Sequence, residues 1–260
     1  MIRAFRAELV KLLRPRLLVA TGLVGLLFAV GSAAAGILNA QPAAAGAEGP
    51  VLEGFARPEG GTLAFTMAAS FAGAFLLAVF AGAVGAEFSR GTLRTLLMQQ
   101  PGRLRLVAGK LAALLLFAAI AIAVTMVASV AASAVFVSTM EVSPAPWFTS
   151  AGWGAMAADY GRVLLAVTGW ALLGTALGVL VPSVPVALAI AVGWAGPVEQ
   201  VLGEAWVPAG HWFPGLLLES LLDPEPGGPG VTRALLTLTC YCLLAVGVSL
   251  AVLGRRDVTA

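Results

Sequence analysis

The chain has 260 residues, of which 60% are hydrophobic and 11% are charged, with a formal net charge of +2 at pH 7. Soluble proteins carry about 25% charged residues, so this chain has too few polar residues to cover a water-soluble core. Composition therefore excludes a soluble globular protein. It predicts an all-α integral membrane protein, because a helix satisfies its own backbone hydrogen bonds in lipid.

Residues 1–16 have the pattern of an amphipathic helix at the membrane interface. At helical spacing this segment carries the apolar residues Ile2, Phe5, Leu9, Leu12 and Leu13. Cations fill the positions between them, so the apolar face would enter the headgroups and the cations would face anionic lipid. A cleavable signal peptide is the alternative. The apolar run that follows is long enough to span a bilayer, at about 20 residues, which disfavours cleavage.

Six apolar runs meet the criterion of about 20 residues for a membrane span. They cover residues 17–38, 62–86, 110–138, 160–181, 186–203 and 233–253. The fifth run is short and is interrupted by Gly196-Pro197. Gly174 and Gly178 in the fourth run predict a close helix approach, either within the chain or against a second copy. The span centres are almost free of charge, which disfavours a carrier driven by protons or ions.

The distribution of cations predicts the topology. Twelve of the 15 Lys and Arg residues fall on one side of the six runs, and Arg57, Arg162 and Arg233 fall on the other. The positive-inside rule places the larger group in the cytoplasm. We therefore expect a multi-pass protein of the cell membrane with both termini in the cytoplasm.

The segment between the third and fourth runs contains aromatic and charged residues. Trp147 and Trp153 are amphipathic rings expected at the level of the headgroups. Asp159 and Arg162 are three residues apart, so they are expected to pair on one helix face.

Residues 196–232 alternate apolar patches with Pro, Gly and carboxylates. Irregular backbone is tolerated at membrane depth only where protein or water surrounds it. The segment therefore predicts either short re-entrant helices on the outer side or a surface loop. Two of its carboxylates, Glu199 and Glu204, are candidates for an outer gate.

Signals for catalysis and nucleotide binding are absent from the sequence. His211 is the only histidine, and no G-x-x-x-x-G-K-[ST] motif occurs. We therefore expect no enzymatic activity, bound metal or cofactor in this chain by itself. ATP could drive it only through another polypeptide.

Residues 87–110, EFSRGTLRTLLMQQPGRLRLVAGK, place five cations between the second and third runs. Ser89 can cap a helix that starts near Arg90. Three leucines then share one face of that helix, and a Pro-Gly pair ends it. A short helix with an apolar ridge and a cationic border suits insertion into a cleft on a cytosolic partner. A basic loop that lies on anionic lipid is the other interpretation.

This segment resembles the signature of ABC-2 type transporter permeases, the transmembrane subunits of ABC exporters. The matching positions are Glu87, Gly91, Thr92, Leu93, Arg94, Leu97, Pro101, Arg103 and Gly109-Lys110. The resemblance extends to Glu8 and Lys11-Leu12-Leu13-Arg14 near the N-terminus and to Arg255-Arg256-Asp257-Val258 in the tail. It implies that residues 87–109 form a cytoplasmic coupling helix that docks on a separate ATPase subunit.

The resemblance also implies a site and a set of partners. The residues that would bind the ATPase are Glu87, Arg90, Gly91, Thr92, Leu93, Arg94, Leu96, Leu97, Pro101 and Arg103. The chain would be a single ABC-2 type transmembrane domain over residues 1–260. It would line the translocation pathway with a second permease copy in the bilayer, and two ATPase subunits would hold ATP and Mg. No nucleic acid is expected. The alternative is a non-transporting membrane scaffold or immunity-type protein that recruits a cytosolic partner.

Overall fold

The structure is a computed structural model, and it describes residues 2–41, 51–89, 103–181, 183–222 and 228–255. These residues are almost entirely helical, and no β-strand occurs among them. The all-α class predicted from composition is therefore confirmed for this part of the chain.

Ten α-helices occur in the described ranges. They are α1 (Ile2–Leu12), α2 (Pro15–Leu38), α3 (Leu52–Phe55), α4 (Leu63–Ser89), α5 (Arg103–Thr139), α6 (Ser150–Leu180), α7 (Val184–Gly193), α8 (Glu199–Ala205), α9 (Pro214–Leu222) and α10 (Val231–Arg255). A π-helical turn, Trp194–Val198, joins α7 to α8. Short 3-10 turns lie at Pro58–Thr62, Ala145–Phe148 and Val207–His211.

Six helical stretches in the described residues are long and apolar enough to cross a membrane. They are Pro15–Leu38, Pro58–Ala86, Arg105–Thr139, Ser150–Leu180, Val184–Ala205 and Val231–Val252. The six predicted runs are thereby confirmed, and the chain is of the multi-pass membrane class. The longest helix, α5, has 37 residues. At 1.5 Å per residue it is about 55 Å long, whereas the hydrocarbon core of a bilayer is about 30 Å thick.

Two helices differ from the predicted runs. Helix α6 begins at Ser150, ten residues before the predicted run at 160. The hydroxyl of Thr149 accepts a hydrogen bond from the Gly152 N–H at 3.3 Å and so caps this start. In the fifth run the chain does not break at Pro197, because the π-helical turn carries the helix through that residue to Ala205.

The chain divides into two compact units. Unit 1 comprises Met1–Lys11, Ala72–Leu116 and Leu165–Ala260. Unit 2 comprises Leu12–Phe71 and Phe117–Leu164. Helices α4, α5 and α6 therefore contribute residues to both.

Unit 2 contains a buried aromatic core. Its members are Ile37, Phe55, Val137, Trp147 and Met156. The Trp147 ring is fully buried and its Nε1–H donates to the Phe55 carbonyl oxygen at 2.8 Å. The Trp147 ring therefore packs within the protein, where its N–H finds a partner, and its position at the level of the headgroups stays a prediction. Trp153, by contrast, is 58% exposed.

The predicted pair between Asp159 and Arg162 is confirmed in the same unit. Arg162 Nη1 lies 2.8 Å from Asp159 Oδ1. The other carboxylate oxygen accepts a hydrogen bond from the buried hydroxyl of Thr62 at 2.6 Å. Asp159 thus ties α6 to the residue that precedes α4.

Replacing Trp147 with Phe should destabilise the protein. The change leaves the buried Phe55 carbonyl without its donor, which costs about 1–3 kcal/mol. The matched change Trp153→Phe alters an exposed ring and should have little effect. Thermal unfolding of both variants in the same detergent measures the difference, and equal Tm values would contradict the role assigned to Trp147.

In unit 1, the small residues of α6 face α4. A Cβ atom on Gly174 would lie 2.7 Å from the Leu77 carbonyl oxygen, and one on Gly178 would overlap the Ala81 carbonyl oxygen. The two backbones therefore approach each other more closely than any larger residue would permit. Of the two interpretations of this Gly-x-x-x-Gly pattern, the structure supports packing within the chain.

Candidate functional site

The helices on either side of the basic segment are packed together. Helix α4 ends at Ser89 and α5 begins at Arg103. Near these ends, Val84 of α4 and Val179 of α6 form a buried cluster, and Val107 of α5 packs against it. The segment between α4 and α5 is therefore attached at both ends to one packed set of three helices.

A cluster of charges connects α1 to this set, and we call it the Glu8 cluster (Glu8, Lys11 and Lys110). The Glu8 carboxylate lies 3.0 Å from Lys11 Nζ and 3.4 Å from Lys110 Nζ. The side chains of Glu8 and Lys110 are only 11% and 9% exposed, whereas that of Lys11 is 48% exposed. A buried cation needs a nearby opposite charge to compensate for lost hydration. The Glu8 carboxylate supplies that charge to Lys110.

The Glu8 cluster changes the expected orientation of α1. Glu8 and Leu12 are buried, one turn apart, while Ile2 and Leu13 are 70% and 57% exposed. The predicted apolar face is thus divided, because the side of α1 that carries Glu8 turns towards Lys110. One signal for this was present in the sequence. Glu8 is the only carboxylate among the first 47 residues.

A second site is built around Glu199, and we call it the Glu199 site (Glu199, Trp194, Gly215, Leu216 and Trp170). The Glu199 side chain is 1% exposed although it lies in a candidate span. Its Oε1 accepts a hydrogen bond from Trp194 Nε1 at 2.6 Å, and its Oε2 accepts one from the Leu216 N–H at 3.2 Å. Both oxygens of this carboxyl group are therefore used inside the protein.

Aromatic side chains lie around the second site. The Phe213 ring meets the rings of Trp194 and Trp206 edge to face, at centroid distances of 5.9 Å and 6.0 Å. The guanidinium of Arg233 lies 5.9 Å from the Trp212 ring, and the Tyr241 hydroxyl donates to the Trp212 carbonyl at 2.9 Å. These contacts attach the segment between α8 and α9 to the start and middle of α10.

The two predicted gate residues have different surroundings. Glu204 is exposed on α8, whereas Glu199 is buried in the Glu199 site. The structure therefore gives the two carboxylates separate environments. A role in gating stays a prediction for both.

Most of the predicted docking residues lie outside the described residues. These are Arg90, Gly91, Thr92, Leu93, Arg94, Leu96, Leu97 and Pro101. Glu87 belongs to the last turn of α4, and Arg103 is the first residue of α5. The coupling helix itself stays a prediction from the sequence.

Comparison with known proteins gives no assignment. No protein-family model matches the chain, and no curated protein matches it. The function proposed below therefore depends on the residues and on the contacts described above.

Proposed function

We propose that this chain is the permease subunit of an ATP-driven ABC exporter of the cell membrane. It would form the translocation pathway with a second permease copy and bind two cytosolic ATPase subunits that hold ATP and Mg. The observation that carries the proposal is the Glu8 cluster. It connects the basic amphipathic helix α1 to Lys110, the residue of α5 at which the basic segment of residues 87–110 ends.

This arrangement supports transmission of force from a docked partner. The segment of residues 87–110 joins α4 to α5, and both helices pack with α6 at Val84, Val107 and Val179. Packed protein interiors are nearly incompressible, so a push on the segment would move the attached helices together. Closure of the ATPase subunits around ATP would thus switch the pathway between inward and outward access.

The ATP itself would bind to the partner. The sequence has no P-loop motif, and a helix with leucines on one face and cations beside them suits a cleft on a cytosolic protein. Cations at such an interface favour partner binding through charge complementarity.

The docking role is tested by charge reversal in the basic segment. Arg90→Glu combined with Arg94→Glu, and separately Leu96→Asp, should each reduce the amount of ATPase subunit that co-purifies by at least about tenfold, since losing interfacial charge pairs costs several kcal/mol. The measurements are co-purification in mild detergent and ATP hydrolysis by the purified complex.

The matched control is Arg57→Glu, an exposed cation on the opposite side of the predicted spans. It should leave both measurements unchanged. Stoichiometric ATPase subunit on all the basic-segment variants would contradict the docking role. ATP hydrolysis by the reconstituted complex without any cargo movement would favour the scaffold alternative.

A further inference from the structure

The buried carboxyl group of Glu199 connects three separate pieces of unit 1. Glu199 is the first residue of α8, and Trp194, its first partner, begins the π-helical turn. Leu216, its second partner, lies in the first turn of α9. A single side chain therefore fixes the turn, α8 and α9 relative to one another.

At α9 this carboxyl group caps the helix. The first N–H groups of a helix have no partner within it, and the first residue of α9, Pro214, has no N–H at all. Leu216 is the third residue of the helix, and its N–H donates to Glu199 Oε2. An acidic group at this end also interacts favourably with the helix dipole.

The contacts of α9 place it beside the middle of α6. No charged residue occurs between Arg162 and Leu180, so we take this part of α6 as the centre of its candidate span, Ser150–Leu180. Trp170 is eight residues from Arg162 and ten from Leu180, which is about 12 Å and 15 Å along the helix. Gly215 of α9 lies against the Trp170 ring. Backbone N–H groups at this depth must find partners in the protein, and Glu199 is such a partner.

Glycine is required at both ends of this contact. A Cβ atom on Gly215 would overlap Glu199 Oε2 and lie 3.1 Å from the Trp170 ring. A Cβ on Gly73 of α4 would lie 2.8 Å from the same ring. The start of α9 is thus in van der Waals contact with Trp170, which is in contact with α4.

The segment next to Glu199 departs from regular α-helical hydrogen bonding. The π-helical turn Trp194–Val198 contains Pro197, which removes one backbone donor. Such turns interrupt the regular hydrogen bonding of a helix and are common where helices bend. Two hydrogen bonds to one carboxyl group therefore hold α9 next to the π-helical turn of the fifth span.

We propose that Glu199 holds α9 closed against α6, and that its hydrogen bonds to Trp194 and Leu216 break when the transmembrane path opens on the side away from the basic segments. The holding role depends on unit 1 alone. The opening role rests on the proposed exporter function.

The holding role is tested by thiol labelling. In a Cys240→Ala, Cys242→Ala background, Leu218→Cys places a thiol on α9 at a side chain that is 2% exposed and packs at Gly169 of α6. Adding Glu199→Gln should raise the rate of maleimide labelling at least about fivefold. The side-chain amide nitrogen of the glutamine cannot accept a hydrogen bond, so one of the two buried donors loses its acceptor. This loss shifts the equilibrium between docked and undocked α9 by about fivefold or more.

Two further variants are compared with Glu199→Gln in the labelling experiment. Glu204→Gln changes an exposed carboxylate on the same helix and should leave the labelling rate unchanged. Trp194→Phe removes one hydrogen bond and keeps the cap of α9, so it should raise the labelling rate by a smaller factor. This variant replaces Glu199→Gln in the test if Glu199→Gln does not fold. Folded Glu199→Gln or Trp194→Phe protein that labels at the parental rate would overturn the holding role.

The opening role is tested with Glu199 intact. Gly169→Cys with Leu218→Cys, joined by a disulfide, should stop cargo movement by the complex, and a reductant should restore it. Continued transport by fully cross-linked protein would overturn the opening role. The labelling experiment needs no ATPase subunit, so it tests the holding role independently of the exporter function. If the chain binds no ATPase subunit, the exporter function is refuted, and the labelling result alone decides the holding role.

Discussion

Replacing Glu8 with Gln should lower the free energy of unfolding by about 1.5–3 kcal/mol, because it removes the negative charge from a nearly buried contact with Lys110 Nζ. In Tm this corresponds to a decrease of roughly 3 °C or more. The control is Lys11→Gln, which removes the half-exposed partner of the same carboxylate. Exposed ion pairs contribute about 0–1 kcal/mol, so this change should lower the free energy of unfolding by no more than that amount.

A double-mutant cycle separates charge pairing from packing. Lys110→Met alone should also destabilise the protein, whereas Glu8→Gln combined with Lys110→Met should cost less than the sum of the single changes, because the attraction between the two side chains can be lost only once. Thermal unfolding in one detergent gives all four values. Strict additivity would show that Glu8 and Lys110 do not interact, and the attachment of α1 to α5 would lose its basis.

The second large effect is expected at the contact between α4 and α6. Gly178→Leu should prevent normal folding, because the side chain would need the space of the Ala81 carbonyl oxygen. The smaller change Gly178→Ala should cost about 1–3 kcal/mol by overpacking. Yield of monodisperse protein and Tm are the measurements.

The matched control for this series is Gly161→Ala in the same helix. No atom lies within 4 Å of the position that its Cβ would take. Alanine favours the helix over glycine by roughly 0.5–1 kcal/mol, so this variant should be slightly more stable than the parent. If Gly178→Ala is as stable as Gly161→Ala, then α4 and α6 are not in close contact at that residue.

Hydropathy and charge were sufficient to predict the six candidate spans. An apolar run of the right length has few structural options in lipid, so all six spans could be located within a few residues of most of their ends. The start of α6 was harder to predict. Its first turns, from Ser150 to Asp159, consist mainly of Ala and Gly, and hydropathy alone does not distinguish them from a loop.

The tertiary contacts could not be predicted in the same way. In an α-helix, residues five apart do not share a face. Trp194 and Glu199 meet because a π-helical turn lies between them. Lys110, the buried partner of Glu8, is 102 residues away in the chain, and no spacing rule connects the two. The sequence did indicate that an isolated carboxylate in a basic helix needs an explanation.

The length of α5 affects how the protein tolerates its lipid. From Leu111 to Thr139 the helix carries no charge, and this portion alone measures about 43 Å, which exceeds a 30 Å hydrocarbon layer by more than a third. Such a rod can accommodate a thicker or thinner bilayer by changing its tilt, with no charged residue drawn into the acyl chains. A change in the chain length of the lipid should therefore be met at α5 by a change of tilt alone.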